Sequence, residues 1–267
     1  MKRLFPLHSG RTLITHLLTA QTPAEFIAEA RGGEADGADA IAVELYDMKP
    51  EFRNRESFEK ILHAINLPFM FILYRNDKWE LGSEDNKRQE ILLAAAEAGA
   101  GMIDVVGDCF DPSPDECTHN SSAIEKQIRL IERIHQTGSQ VLMSSHPMRA
   151  MASDEVLAQL KSFEQRGADV VKLVAKADTE EEFAESVQTT MRLHRELKTP
   201  FIHLCSGKFA TIQRFLGTKL GVAITFGVHQ YHTQYSYAQP KISAFKTVQA
   251  NICWDFKQIF SEKGSQE

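Results

Sequence analysis

Across 267 residues, 43% of the side chains are hydrophobic and 25% are charged. That is the balance of a chain able to bury a full core, not of a disordered or fibrous one. A formal charge of −6 excludes a general nucleic-acid surface, and no apolar run is long enough to span a bilayer.

Short apolar runs alternate along the chain with longer amphipathic ones. Strands are expected at residues 13–18, 38–45, 69–74, 102–106, 140–145, 169–174, 201–205 and 222–226. Helical periodicity fills the intervals at 23–30, 53–65, 84–98, 122–137, 153–166, 179–197 and 209–220, and a last helix is expected from about 242 to 260. Thr22-Pro23-Ala24-Glu25 has a proline at the first helical position and a glutamate in the capping-box place. Ser153-Asp154-Glu155 and Thr179-Glu180-Glu181-Glu182 put acids where the helix dipole favours them. Gly99, Gly138 and Gly167 mark helix exits, and Gly101 sits in the first of those turns.

Such an uninterrupted βα series fits a single (β/α)8 TIM barrel over residues 1–267. An open dinucleotide-binding sheet lacks its Gly-rich fingerprint after the first strand, and no linker divides the chain. The first eight residues are too short in their apolar part for a secretory signal. Cys109, Cys117, Cys205 and Cys253 lack CxxC spacing and read as reduced thiols of a cytoplasmic protein. A Cys109–Cys117 bridge or metal pair is the lesser alternative.

The period of two along a strand assigns the faces. Ala40, Ala42, Glu44 and Tyr46 share one face, expected to be the lumen, while Ile41, Val43 and Leu45 suit the layer under the helices. The same count groups Val170, Lys172 and Val174, aligns Ser144 with His146, and aligns Leu73 with Arg75. Catalytic groups of such barrels project from the C-terminal ends of several strands. Glu44, Arg75, His146 and Lys172 all fall there.

Lys172 stands out because it interrupts the apolar run Asp169-Val170-Val171-Lys172-Leu173-Val174. It is an edge-strand lysine, one end of a core ion pair, or a nucleophile. Burial disfavours its ammonium, and a neutral amine can condense with a ketone to form an imine. The resulting iminium acidifies the neighbouring C–H bond. His146, one strand earlier, can take that proton and pass one to a departing hydroxyl.

Other candidates surround this pair. Arg214, early on the helix after the seventh strand, is an exposed helix arginine or a paired-donor site for a carboxylate. Glu80, in the loop after Arg75, is a plain loop acid or the group that orients His146. The stretch from His229 to Lys241 is polar, aromatic and long enough to be a lid. His229 and His232 lack an acidic third ligand and make a weak metal site; no metal is expected.

Together these motifs resemble type I 3-dehydroquinate dehydratase, the Schiff-base enzyme of the shikimate pathway. The resemblance runs from about Leu13 to the C-terminal helix. It rests on Val43-Glu44, Tyr74-Arg75, Met143-Ser144-Ser145-His146, Gly167-Ala168-Asp169 with Lys172, Ser206-Gly207 with Arg214, and Ile224-Thr225-Phe226. It implies a (β/α)8 barrel, dimeric, needing no metal or organic cofactor. By this likeness Lys172 forms the imine, His146 moves the protons and Glu80 supports His146. Arg214 holds the substrate carboxylate, while Glu44 and Arg75 hold the ring hydroxyls.

Two departures stand against the family pattern. Where the family has Glu-x-Arg, this chain has Glu44-Leu45-Tyr46, so a phenol replaces a cation. The lid is also altered. Aligning its serines puts Ser236 and Gln239 in the family's Ser and Gln places; aligning the following Ile242-Ser243 puts Tyr237 and Lys241 there instead. The expected reaction is dehydration of 3-dehydroquinate. The alternatives are a related class I lyase or aldolase acting on another carboxylated hydroxy-ketone, and a ligand-binding relative with a relic site.

Overall fold

The computed structural model describes residues 2–75, 78–79, 84–231 and 239–252. Within them, strands β1 (Leu13–Leu18), β2 (Ala40–Glu44), β3 (Phe69–Ile72), β4 (Met102–Val106), β5 (Gln140–Ser145), β6 (Val170–Lys176), β7 (Phe201–Ser206) and β8 (Ile224–Gly227) alternate with helices. The helices are α1 (Pro23–Ala35), α2 (Arg55–Ala64), α3 (Asp85–Ala98), α4 (Ser121–Gln136), α5 (Ser153–Gln165), α6 (Glu180–Glu196), α7 (Ala210–Gly217) and α8 (Ile242–Asn251). The strands are parallel and lie in the order β7-β6-β5-β4-β3-β2-β1-β8. Between β7 and β8 the Ala223 N–H donates to the Phe201 carbonyl at 2.8 Å, so the sheet curls into a nearly closed (β/α)8 barrel.

Local chemistry accounts for most element boundaries. Thr22 and Thr179 cap α1 and α6 in full capping boxes with Glu25 and Glu182. Asn120 accepts from the Ser122 and Ala123 N–H groups to start α4. Gly99 ends α3 in a left-handed conformation, φ 114°, which glycine adopts without steric cost. The first helix runs past the expected residue 30 to Ala35. Gly32 and Gly33 lie where any Cβ would collide with the rings of His229 and His16. They are kept small by close packing while the helix continues through them. The expected last helix is observed over Ile242–Asn251; its remainder lies outside the described residues.

Face alternation follows the expected parity in β2, β5 and β6, where Glu44 and Lys172 line one cavity with His146 just beyond β5. Ile41, Val43, Ile103 and Val105 are fully buried under the helices, and the opposite residues face the lumen. The N-terminal segment closes the lower end of the barrel. Phe5 is buried there, exchanging backbone hydrogen bonds with the Gln140 amide at 2.9 and 3.1 Å. The Lys2 ammonium donates to the Ala96 and Thr137 carbonyls at 2.9 and 2.6 Å. Gly101 carries no Cβ because one would collide with the Arg3 carbonyl oxygen. With the bottom filled, the open upper end is left for chemistry.

Candidate active site

A cavity of about 290 Å³ opens at the C-terminal ends of the strands and is lined by Glu44, Tyr74, His146, Lys172, Arg214 and Gln239 among others. Strand register assembles its centre. Ser144 of β5 lies opposite Lys172 of β6, and His146, two residues beyond Ser144, stands above it on the same face. The Lys172 Nζ is 2.8 Å from His146 Nε2 and 3.1 Å from the Tyr74 hydroxyl. Lys172 is 5% exposed. Burial lowers the proton affinity of its amine, and the charge of Arg214 adds to that, against the opposing carboxylates of Asp104, Glu116 and Glu44.

His146 is held by a carboxylate that sequence reading missed. Glu116 Oε2 accepts from both the His146 backbone N–H and the ring Nδ1–H, each at 2.8 Å. With Nδ1 carrying that proton, the neutral ring presents the Nε2 lone pair to Lys172. Burial and the adjacent Lys172 push the imidazole below its ordinary proton affinity, while Glu116 pulls the other way. Burial alone would raise the Glu116 carboxyl; the hydrogen bond and charge of His146 bring it below its usual range.

The loop after β4 reaches His146 because of its anchors. Gly107 lets the chain fold back where a Cβ would strike the Phe163 ring and the Glu116 carbonyl. The buried Arg166 donates to the Gly107 and Thr118 carbonyls, each at 2.8 Å. Glu116 itself is left-handed, φ 49°, a conformation that costs a non-glycine residue about 1 kcal/mol. Such strain gathers where function fixes a side chain. Glu80, to which the resemblance gave this supporting role, lies outside the described residues, as do Ser236, Tyr237, His232 and Cys253.

Below the lysine, Tyr74 donates to Asp104 Oδ2 at 3.0 Å, and Asp104 Oδ1 accepts from Ser144 at 2.6 Å. The Tyr74 ring meets the His146 ring edge-on with centroids 4.9 Å apart. Burial, then the carboxylates of Asp104 and Glu44, hold the phenol well above its usual proton affinity. Sequence reading placed Arg75 among the site groups and so assigned the β3 faces the wrong way round: Ile72 and Tyr74 line the cavity. Asp104 and Ser144 alternate into the lumen in the same way.

Arg214 is 5% exposed, although α7 is short. Its Nη1 donates to Gln239 Oε1 at 2.9 Å, and its Nε has no hydrogen-bond partner among the described residues. Burial lowers its proton affinity to about 10. A buried guanidinium without a carboxylate beside it among the described residues has the chemistry to receive an anion.

Three sequence-derived candidates stand apart from this cavity. Arg75 turns to the loop after β4, donating to Asp108 Oδ1 and the Asp108 carbonyl at 2.7 and 3.0 Å, and pairing with Asp85 at 3.3 Å. It shares the parity of Leu73 and so points away from the lumen. Tyr46 lies in a short 3-10 turn, Leu45–Asp47, that ends the β2 alternation, so the lumen parity stops at Glu44. Lys241 is exposed at the start of α8, its Nζ 5.4 Å from the centre of the Tyr231 ring. Of the two lid alignments, the one with Gln239 in the glutamine position therefore matches the cavity.

His229 pairs with Asp36 at 2.8 Å. Among the described residues no group of three His, Cys, Asp or Glu side chains is arranged to hold a metal ion. Cys109, Cys117 and Cys205 are free and buried. No helix of the described residues is long and apolar enough to cross a membrane.

The family profile described as type I 3-dehydroquinase matches residues 14–250. The chain is 25% identical to 3-dehydroquinate dehydratase of Klebsiella pneumoniae over 228 residues, covering 82% of this chain and 85% of that one. It is 29% identical to the 3-dehydroquinate dehydratase of Shouchella clausii over 225 residues, covering 82% and 83%. The crystal structure of type I 3-dehydroquinate dehydratase from Clostridium difficile with covalently modified comenic acid superposes with a TM-score of 0.77 at 18% identity, covering 94% and 98% of the two chains.

Proposed function

The chain belongs to the type I 3-dehydroquinase family of hydro-lyases, and from that premise we propose that it dehydrates 3-dehydroquinate to 3-dehydroshikimate through an imine on Lys172. The observation that carries this reading is the buried Lys172 amine 2.8 Å from His146 Nε2, in one cavity with Arg214, which has no ion-pair partner among the described residues.

The sequence of steps follows from the proton positions. His146 Nε2 takes a proton from the Lys172 ammonium, whose hold on it burial has weakened. The freed amine attacks the substrate ketone, and the imidazolium returns its proton to the oxygen that leaves as water. Neutral His146 then removes a proton from the carbon beside the iminium. The electron pair left behind expels the hydroxyl on the following carbon, which takes that proton from His146 and leaves as a second water. Hydrolysis of the imine restores the ketone and Lys172. Glu116 steadies the imidazolium at each turn, and Arg214 with Gln239 receives the carboxylate.

The test is the ultraviolet absorbance of the conjugated enone carboxylate, together with borohydride trapping of substrate on the protein. Wild-type protein is expected to form product and a reduced adduct, and Lys172→Ala to do neither. Wild-type protein giving neither product nor adduct overturns the reading.

A second reading is favoured by Arg75, whose guanidinium is occupied by Asp108 and Asp85. With Tyr46 in place of the family arginine, Glu44 is the one of these three candidates left among the described cavity-lining residues to read the hydroxyl end of a substrate. A class I lyase acting on another carboxylated hydroxy-ketone fits that end equally well. It predicts adduct formation with a smaller keto acid and poor turnover of 3-dehydroquinate. The resemblance also carries the expectation of a homodimer, which sedimentation equilibrium tests.

A further inference from the structure

We propose that the Tyr74 hydroxyl is a catalytic residue that carries a proton from nitrogen to oxygen when Lys172 adds to the ketone, and back when the product imine is hydrolysed. The proposal rests on the imine reading above.

The geometry singles out this hydroxyl. Its oxygen accepts from Lys172 Nζ at 3.1 Å while its proton goes to Asp104 at 3.0 Å. Asp104 is itself buried and fixed by Ser144, so the phenol is held by an anchored carboxylate. A phenylalanine would keep the ring packing against His146 without burying a polar atom beside the amine. Burying a hydroxyl costs free energy unless it is bonded, and here its partners are the reacting lysine, one carboxylate and, at 3.3 Å, the Nε2 of His146.

The chemistry needs a group of this kind. As the Nζ lone pair bonds to the carbonyl carbon, the carbonyl π pair moves onto oxygen. The adduct then holds a surplus proton on nitrogen and a deficit on the oxygen bonded to the same carbon. A hydroxyl gives its proton to the oxygen and takes one from the nitrogen, leaving a neutral carbinolamine and an unchanged tyrosine. His146 cannot do both at once. Its Nδ1–H is committed to Glu116, so one nitrogen faces the site, and at that moment it carries the proton taken from the ammonium. That proton is the one needed to expel the carbinolamine oxygen as water. Tyr74 thus serves addition to the ketone, and His146 serves the two losses of water. A phenol whose proton affinity is held high by burial and by Asp104 stays neutral throughout, as a shuttle must.

Rapid mixing with 3-dehydroquinate, a borohydride quench and intact-mass counting of the adduct test this. Tyr74→Phe is expected to slow adduct formation by about 100-fold. In the same variant the deuterium isotope effect at the abstracted C–H bond on kcat/KM should shrink toward unity, because addition has become the slow step. A merely structural role would not produce that shift. Adduct formation at the wild-type rate, or slowed turnover with the isotope effect undiminished, overturns the proposal and leaves the imine reading standing. Absence of adduct in the wild-type protein overturns both. Should Tyr74→Phe fail to fold, 3-fluorotyrosine at position 74, which keeps the hydroxyl and alters its proton affinity, decides: an altered rate of adduct formation supports the shuttle and an unchanged rate overturns it.

Discussion

At the scale of single residues, the site turns on which carboxylate stands behind His146. The resemblance pointed to Glu80, and the geometry gives that contact to Glu116 through two hydrogen bonds to one residue. Glu116→Gln is therefore expected to lower kcat/KM by about 100-fold and to move the acid limb of the pH profile. The sign follows from the charges. Glu116 raises the proton affinity of His146 against burial and Lys172, so its removal shifts that limb to lower pH. Glu80→Gln should leave the limb in place. A limb that moves for Glu80→Gln and not for Glu116→Gln would reverse the assignment. His146 and Lys172 were legible in the sequence because a period of two fixes which strand residues share a face. Glu116 was not, since a loop has no period and its approach depends on Gly107, Arg166 and a left-handed backbone far from any motif.

At the scale of elements, the outer faces of the strands are as polar in places as the lumen, and this has a consequence for stability. His203 of β7 is buried beneath α6, with its Nδ1 2.8 Å from the Thr190 hydroxyl. Burial lowers its proton affinity to about 4, so it folds neutral. Its folded value lies below its unfolded value, so its contribution is complete above about pH 6.5 and is lost as the pH falls toward the folded value. At pH 5 the unfolded chain is protonated there and the folded one is not, a difference of about 2 kcal/mol. Urea midpoints at pH 7 and pH 5 should fall for the wild-type protein, and His203→Gln should fall by less over the same interval. An equal fall in both would mean that other groups carry the acid sensitivity. The elements themselves were readable from alternation and capping chemistry, within a few residues at most ends. The exception was α1, where Gly32 and Gly33 serve packing against His229 and His16.

At the scale of the whole molecule, the barrel is plugged from below by the segment ahead of β1. Phe5 and the Gln140 amide close the lower end, so the cavity opens at one end only. Phe5→Ala is expected to destabilise the fold by about 3 kcal/mol, measured by urea unfolding, while kcat at 25 °C stays near the wild-type value. A large loss of kcat with unchanged stability would show that the plug shapes the site and does not merely support it. The three free, buried cysteines form no disulfide among themselves, so the core and its ion pairs hold this barrel in the region described.

By itself the sequence determined the (β/α)8 architecture, the lumen faces of β2, β5 and β6, and the pairing of Lys172 with His146. Each of these follows from short-range periodicity, which the backbone enforces locally. Tertiary structure alone decided the partner of His146, the withdrawal of Arg75 to Asp108 and Asp85, and the choice of Gln239 over Lys241 beside Arg214. These depend on where loops and long side chains come to rest. That is settled by competition among distant charges and close-packed surfaces, to which no local pattern in the chain gives access.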